Sequence, residues 1–164
     1  MNKKMTQRKK NRLTDYDYSK PGAYFITICT DKRKCLFWRK NEHPLSKPEY
    51  TKQLSEYGKL VDKAINDIPD HYPFVSVDKY VVMPNHIHIL LRINTDENGR
   101  PMVAPTISTV IQQTKGVVSK KIGYSVWQKL YYDHVVRNSV DYEEIWNYID
   151  QNPLNWKKDK FYNP

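Results

Sequence analysis

Four short stretches rich in β-branched and aromatic residues, three stretches with apolar residues at helical spacing, and the order in which they alternate predict an α+β fold. The order is β-α-β-β-α-β, that of a ferredoxin-like antiparallel sheet, with an additional C-terminal helix that carries a tyrosine. In that topology the third strand lies in the middle of the sheet, between the first and the second.

Each element has its own warrant. Ala23–Thr30 is dense in aromatic and β-branched residues and follows the turn dipeptide Pro21-Gly22, so it reads as the first strand. Residues 31–50 are charged and hold Pro44 and Pro48; they read as a surface excursion, with a short strand at Cys35–Trp38. From Thr51 to Ile68, Leu54, Tyr57, Val61, Ala64, Ile65 and Ile68 recur at helical spacing, and Pro69 is expected to stop that helix. Phe74–Val82 is the second strand. The short, turn-prone Met83-Pro84-Asn85 folds the third strand, His86–Ile93, back against it as a hairpin. Ile107, Val110, Ile111, Thr114, Val117, Val118 and Ile122 line one face of a second helix that Gly123 closes. Val126–Val136 reads as the fourth strand. Ser139 is expected to cap a last helix whose first turn holds Asp141, Glu143 and Glu144 and which runs to about Gln151.

The 164 residues suffice to close a core without disulfides or structural metals. Lysine and arginine outnumber the acids 27 to 18, a net charge of +9 that favours a polyanionic partner, nucleic acid above all. The excess is concentrated in residues 1–12, where Lys3, Lys4, Arg8, Lys9, Lys10 and Arg12 stand without an acid. That stretch reads as a flexible basic arm for the DNA backbone, and 13–164 as one domain. Cys29 and Cys35 have no metal-ligand spacing, and no leader or apolar run long enough to span a bilayer is present. A reducing, cytoplasmic setting without a membrane partner is the expectation. The five glycines form no phosphate-cradling loop.

The candidate chemistry centres on Asn85-His86-Ile87-His88. Alternation along a strand puts His86 and His88 on one face, close enough to share a metal ion, while Ile87, Ile89 and Leu91 point into a core. The same step also describes two hydrogen-bonded histidines on a half-buried strand. Two imidazoles leave metal positions open, as a catalytic site requires. The last helix offers a third ligand in Asn152, and Tyr148, four residues earlier, shares its face. Ile145 and Ile149 mark the buried stripe, with Tyr148 at its edge as either a packed edge tyrosine or a nucleophile that a cation would activate. Pro153 disfavours helical geometry at Asn152. Tyr131, Tyr132 and His134 read as sheet and DNA-contact residues, and Tyr142 is about 120° round the axis from Tyr148. Arg92, on the histidine face, and Lys115, Lys120, Lys121 and Arg137 are candidate phosphate contacts.

The His86-Ile87-His88 pair, Trp127-Gln128, the run Tyr131 to Arg137, and Tyr142 through Tyr148-Ile149-Asp150-Gln151-Asn152-Pro153 together resemble the IS200-like single-tyrosine HUH transposases. Tyr16-Asp17-Tyr18 and Pro21 to Thr30 add to the likeness, which is nearest to the REP-associated tyrosine transposase branch and extends over nearly the whole chain beyond the basic arm. The resemblance implies cleavage and rejoining of single-stranded DNA beside hairpins or palindromes. It maps the metal pair onto His86 and His88, the nucleophile onto Tyr148, and the helix-borne ligand onto Asn152, where family members often carry glutamine. A divalent ion, Mg²⁺ or Mn²⁺, would polarise the scissile phosphate, and Tyr148 would form a 5′-phosphotyrosine. It also implies that a homodimer exchanging tyrosine helices is open to the chain. Two rival readings are a non-catalytic nucleic-acid-binding sheet of the same topology and a small replication-initiator nickase with the same chemistry.

Overall fold

The computed structural model of the chain describes residues 13, 16–40, 50–99 and 105–164. The basic arm with Lys3, Lys4, Arg8, Lys9, Lys10 and Arg12 lies outside the described residues. In chain order the elements are β1 (Gly22–Cys29), α1 (Glu56–Asn66), the single turn α2 (Ile68–His71), β2 (Val75–Val82), β3 (His86–Ile93), α3 (Ile107–Ile122), β4 (Tyr132–Val135) and α4 (Ser139–Gln151). Short 3₁₀ turns stand at Asp31–Arg33, Tyr50–Gln53 and Trp156–Lys158. Among the described residues no helix is long and apolar enough to cross a membrane.

The four strands form one antiparallel sheet in the order β2-β3-β1-β4, so the histidine strand is central as its topology predicts. Neighbouring residues of β2 show how the two faces are used. Tyr80 sends its hydroxyl to Asp62 of α1 at 2.8 Å, while Lys79 pairs with Asp150 of α4 at 2.8 Å. Helices α1 and α3 therefore pack together on one face and α4 on the other. Ile87, Ile89 and Leu91 are fully buried on the α1 and α3 side with Ile26, Ile28, Val61, Ile65, Val110 and Ile111. Each such burial contributes about 1.5–3 kcal/mol. On the opposite face, Ile145 and Ile149 seat α4, and a bulge at Asp78 turns its carboxylate to both Arg92 (2.8 Å) and Tyr142 (2.9 Å). These contacts set the position of α4, and hence of its tyrosine.

Several boundaries differ from the sequence expectation. The first helix begins only at Glu56, capped by Ser55 Oγ, and gives way at Asp67; Pro69 stands in the first turn of α2, where its missing N–H costs nothing. No strand forms at Cys35–Trp38, because Leu36 N and Phe37 N both donate to the Pro84 carbonyl and only Trp38 makes an isolated bridge, to Leu54. The fourth strand is confined to Tyr132–Val135. Before it, Trp127 bridges Thr30 and the Gln128 and Lys129 carbonyls accept from Lys115 Nζ, away from the ladder. Asn138, not Ser139, caps α4, its Oδ1 accepting from Asp141 N at 2.9 Å. Asn152 has helical angles (φ −58°, ψ −43°) despite Pro153, so Tyr148 and Asn152 do share a face.

The start of α1 is pressed against the excursion that precedes it. A Cβ on Gly58 would lie 2.1 Å from the Phe37 carbonyl oxygen, which already accepts from Ser55 N. Gly58→Ala is therefore expected to lower stability by about 1–3 kcal/mol despite alanine's better helix propensity. A denaturant midpoint at or above that of the parent protein would show that the contact relaxes freely.

Candidate metal and nucleophile site

His86 and His88 stand on β3 opposite Cys29 and Thr27 of β1, and both are buried. Their Nε2 atoms face each other at 3.1 Å. Each Nδ1 is taken up behind. Asn85 donates through Nδ2 to the Phe161 carbonyl (2.8 Å) and the Arg33 carbonyl (3.3 Å), which turns its Oδ1 toward His86 Nδ1 at 2.8 Å. That oxygen can only accept, so His86 carries its proton on Nδ1 and presents a lone pair at Nε2. Thr27 Oγ1 meets His88 Nδ1 at 2.7 Å and can accept in the same way. Burial pushes the His86 imidazolium down to about 4, against the opposing pull of the Asp159 carboxylate, and holds His88 well below its ordinary value, with His86 as the next cause. Both rings are neutral at pH 7, the form that ligates a metal.

The far end of the chain completes the cluster. Tyr148 projects from α4 with its hydroxyl 3.4 Å from His88 Nε2 and its ring edge-on to His88 and Phe25. It remains 41% exposed, so an incoming group can reach it. Burial raises its pKa, and the Asp159 charge raises it further. The unaided phenol is thus protonated at neutral pH. One turn on, the buried Asn152 donates from Nδ2 to Asp159 Oδ2 at 3.0 Å, while its Oδ1 is buried without a hydrogen-bond partner. Asn152 lies against both His86 and Tyr148, whose titrations it influences. Asp159 Oδ1 accepts from Phe161 N at 2.7 Å, and Oδ2 is 3.9 Å from His86 Nε2. His86, His88 and Asp159 each offer one ligand atom, all within 4.8 Å of one another. Two imidazole lone pairs, a carboxylate and an orphaned amide oxygen make a donor set that fits a divalent cation with open positions.

Sequence reasoning did not reach Asp159. The segment Lys158-Asp159-Lys160 has no period and reads as solvated charge; a trace of its role is the bracketing by Trp156 and Phe161, both buried. The orienting roles of Asn85 and Thr27 were likewise absent from the sequence reading. Of the predicted phosphate contacts, Arg92 stands on the histidine face but is engaged by Asp78 and lies over Tyr142. Lys115, Lys120 and Lys121 belong to α3, on the opposite side of the sheet, and Lys115 is held by two carbonyls, its pKa lowered by burial. Arg137 is exposed at the start of α4. Arg33 and Lys160, which the sequence did not single out, are the cations whose charge reaches His86.

No family model matches the chain. An uncharacterised protein of Haemophilus influenzae is 33% identical to it over 94% of this chain and 93% of its own length. A second protein of that organism, named "Putative REP-associated tyrosine transposase", is 22% identical over 84% of this chain and 73% of its own. Among solved structures, a REP-associated tyrosine transposase bound to a REP hairpin has the same fold, with a TM-score of 0.56, 22% identity, and coverage of 87% of this chain and 74% of that one. The chain thus has the fold of a REP-associated tyrosine transposase and is similar in sequence to a protein named as one.

Proposed function

We propose that the protein is a metal-dependent single-stranded DNA endonuclease and strand transferase that acts beside hairpin or palindromic DNA through a covalent tyrosine intermediate. The observation that carries this reading is the Tyr148 hydroxyl, partly open to solvent and 3.4 Å from His88 Nε2, at the mouth of a buried His86, His88 and Asp159 cluster of one and the same chain. A binding module without chemistry has no use for two neutral imidazoles aimed at each other beside a carboxylate.

In this reading His86 Nε2, His88 Nε2, Asp159 and the Asn152 amide oxygen would hold the divalent cation, Mg²⁺ or Mn²⁺. Once bound, such an ion polarises a phosphate oxygen and favours the phenolate of a nearby tyrosine. Tyr148 supplies the nucleophile: its phenolic oxygen forms a bond to the scissile phosphorus, the bond from phosphorus to the 3′ oxygen breaks, and that oxygen leaves with the electron pair and takes a proton. The phenolic proton passes to water. One phosphodiester replaces another, so the step needs no nucleotide hydrolysis, and attack by a second 3′-hydroxyl rejoins the strands. The α4 anchors, Lys79 to Asp150 and Asp78 to Tyr142, hold the tyrosine in line with the pair. Lys3, Lys4, Arg8, Lys9, Lys10 and Arg12 would grip the DNA backbone, and a hairpin is the partner that the REP-bound structural relative suggests.

The test is incubation of the protein with a labelled single-stranded hairpin oligonucleotide and Mn²⁺. A denaturation-resistant protein–DNA adduct that EDTA prevents is the expected product. Undiminished cleavage in EDTA would overturn the metal-dependent reading.

A further inference from the structure

Beside the histidine pair a cleft of about 420 Å³ runs toward the edge strand β4, within the size range of small-ligand pockets. Phe25 and Thr27 line one side of it. Both already touch the reaction centre: the Phe25 ring stacks on His88 with centroids 5.3 Å apart, and Thr27 holds His88 Nδ1. Tyr132 and His134 stand next to them, in register with Thr27 and Phe25 respectively. His134 is tied to Asp141 of α4 at 2.8 Å. The Tyr132 side chain, 46% exposed, has no ring or hydrogen-bond partner among the described residues.

The other side carries charge on an aromatic plate. Phe161, packed on His86 at 4.7 Å, has the Arg33 guanidinium 4.9 Å and the Lys160 ammonium 5.0 Å from its ring centroid. Neither cation is paired with a carboxylate among the described residues, so both charges remain available to an anion. Lys32 and Arg33 adopt left-handed backbone angles (φ 52° and 54°), a conformation that non-glycine residues keep only where the surroundings hold them to it. Here it places the Arg33 carbonyl on Asn85 Nδ2 and its guanidinium over the cleft.

We infer that this cleft is a base-binding subsite for one unstacked nucleotide of single-stranded DNA next to the scissile phosphate. Aromatic faces bounded by two cations that no carboxylate pairs among the described residues match a base with its phosphate, and Asp133, which lines the same cleft with both carboxylate oxygens buried and without a hydrogen-bond partner, can accept from an N–H of that base. Continuity through Phe25 and Thr27 places the seat against the metal and nucleophile site, and in that respect the inference rests on the proposed function. The base stacks on Tyr132 and the cleft aromatics, while Arg33 and Lys160 take its phosphate oxygens.

The test reads binding alone. The Tyr148→Phe protein in EDTA is titrated with fluorescent DNA hairpins bearing thymidine tails, in which one abasic site is walked along each tail, so the stem fixes the register. One position is expected to lose about 5- to 150-fold in affinity when the base is removed, the increment of one stacked base. Tyr132→Ala should cause a comparable loss on the intact tail and little further loss on the abasic one, and Tyr132→Phe should bind as the parent does. Arg33→Ala should lower the salt slope by about one. A flat abasic scan, or losses from Tyr132→Ala and the abasic site that multiply, would overturn the subsite. Because no cleavage is read, a failure of the wild-type protein to form an adduct would sink the nuclease reading while a position-specific abasic penalty still supported this one.

Discussion

Tyr148→Phe is expected to abolish the covalent adduct with hairpin DNA, by at least about a thousandfold, because the substitution removes the atom that, in the proposed reaction, forms the bond to phosphorus. The same change should leave DNA affinity within about twofold. The ring stays in its edge contacts with His88 and Phe25, and only the 3.4 Å contact of the hydroxyl with His88 Nε2 is lost. A lost hydrogen bond of that kind costs about 0.5–1.5 kcal/mol of stability, too little to unfold a domain. The pair of results separates chemistry from binding, and a denaturing gel with a parallel anisotropy titration reads both. Were the adduct to persist, the nucleophile would lie elsewhere. Tyr142 is poorly placed for that role, since its hydroxyl donates to Asp78 at 2.9 Å and the Asp78 charge adds to the burial that raises its pKa.

What was legible in the sequence follows from which forces are local. Strands β1 to β3 and helix α3 carry their own periodic pattern, and Gly123 ends α3 in the left-handed conformation that its residue type suggests (φ 99°). The placement of His86 and His88 on one face, and of Tyr148 at the edge of the Ile145 and Ile149 stripe, follows from alternation and helical spacing alone. The fourth strand is shorter than its pattern because Val126 to Tyr131 has β-favouring residues but the Gln128 and Lys129 carbonyls in its middle accept from Lys115, a partner that pattern reading does not see. Asp159 was missed for a related reason. Its segment has no regular structure beyond a 3₁₀ turn, and its carboxylate reaches the histidines only because Phe161 and Trp156 dock the chain end over them. Asn85, by contrast, adjoins the pair in sequence, yet its orienting role depends on two carbonyls, of Arg33 and Phe161, that are distant in the chain.

The third ligand is the point at which sequence and geometry part, and substitution separates the two candidates. Asp159→Asn is expected to weaken Mn²⁺ binding by roughly a hundredfold or more, and Asn152→Ala by about tenfold, both measured by titration calorimetry. The asymmetry has a structural cause. Asp159 brings a negative charge to two neutral imidazoles, whereas Asn152 brings an amide oxygen. Converting the carboxylate to an amide also sets an N–H₂ against Asn152 Nδ2, now 3.0 Å away from an acceptor, unless Asn152 rotates and turns its Oδ1 out of the site. The loss should therefore exceed that of one ligand. Proton competition distinguishes this from a general loss of structure. Ordinary imidazoles near 6.5 would each forfeit about tenfold in metal affinity between pH 7.5 and 5.5, but burial holds His86 down to about 4 and His88 well below its ordinary value, so both stay neutral across that window. Removing the Asp159 charge takes away the influence that raises the His86 value and moves any proton competition lower still. Metal affinity in the parent and in Asp159→Asn should thus be nearly flat from pH 7.5 to 5.5. A larger loss in Asn152→Ala than in Asp159→Asn would make the asparagine the third ligand and the aspartate the group that orients it.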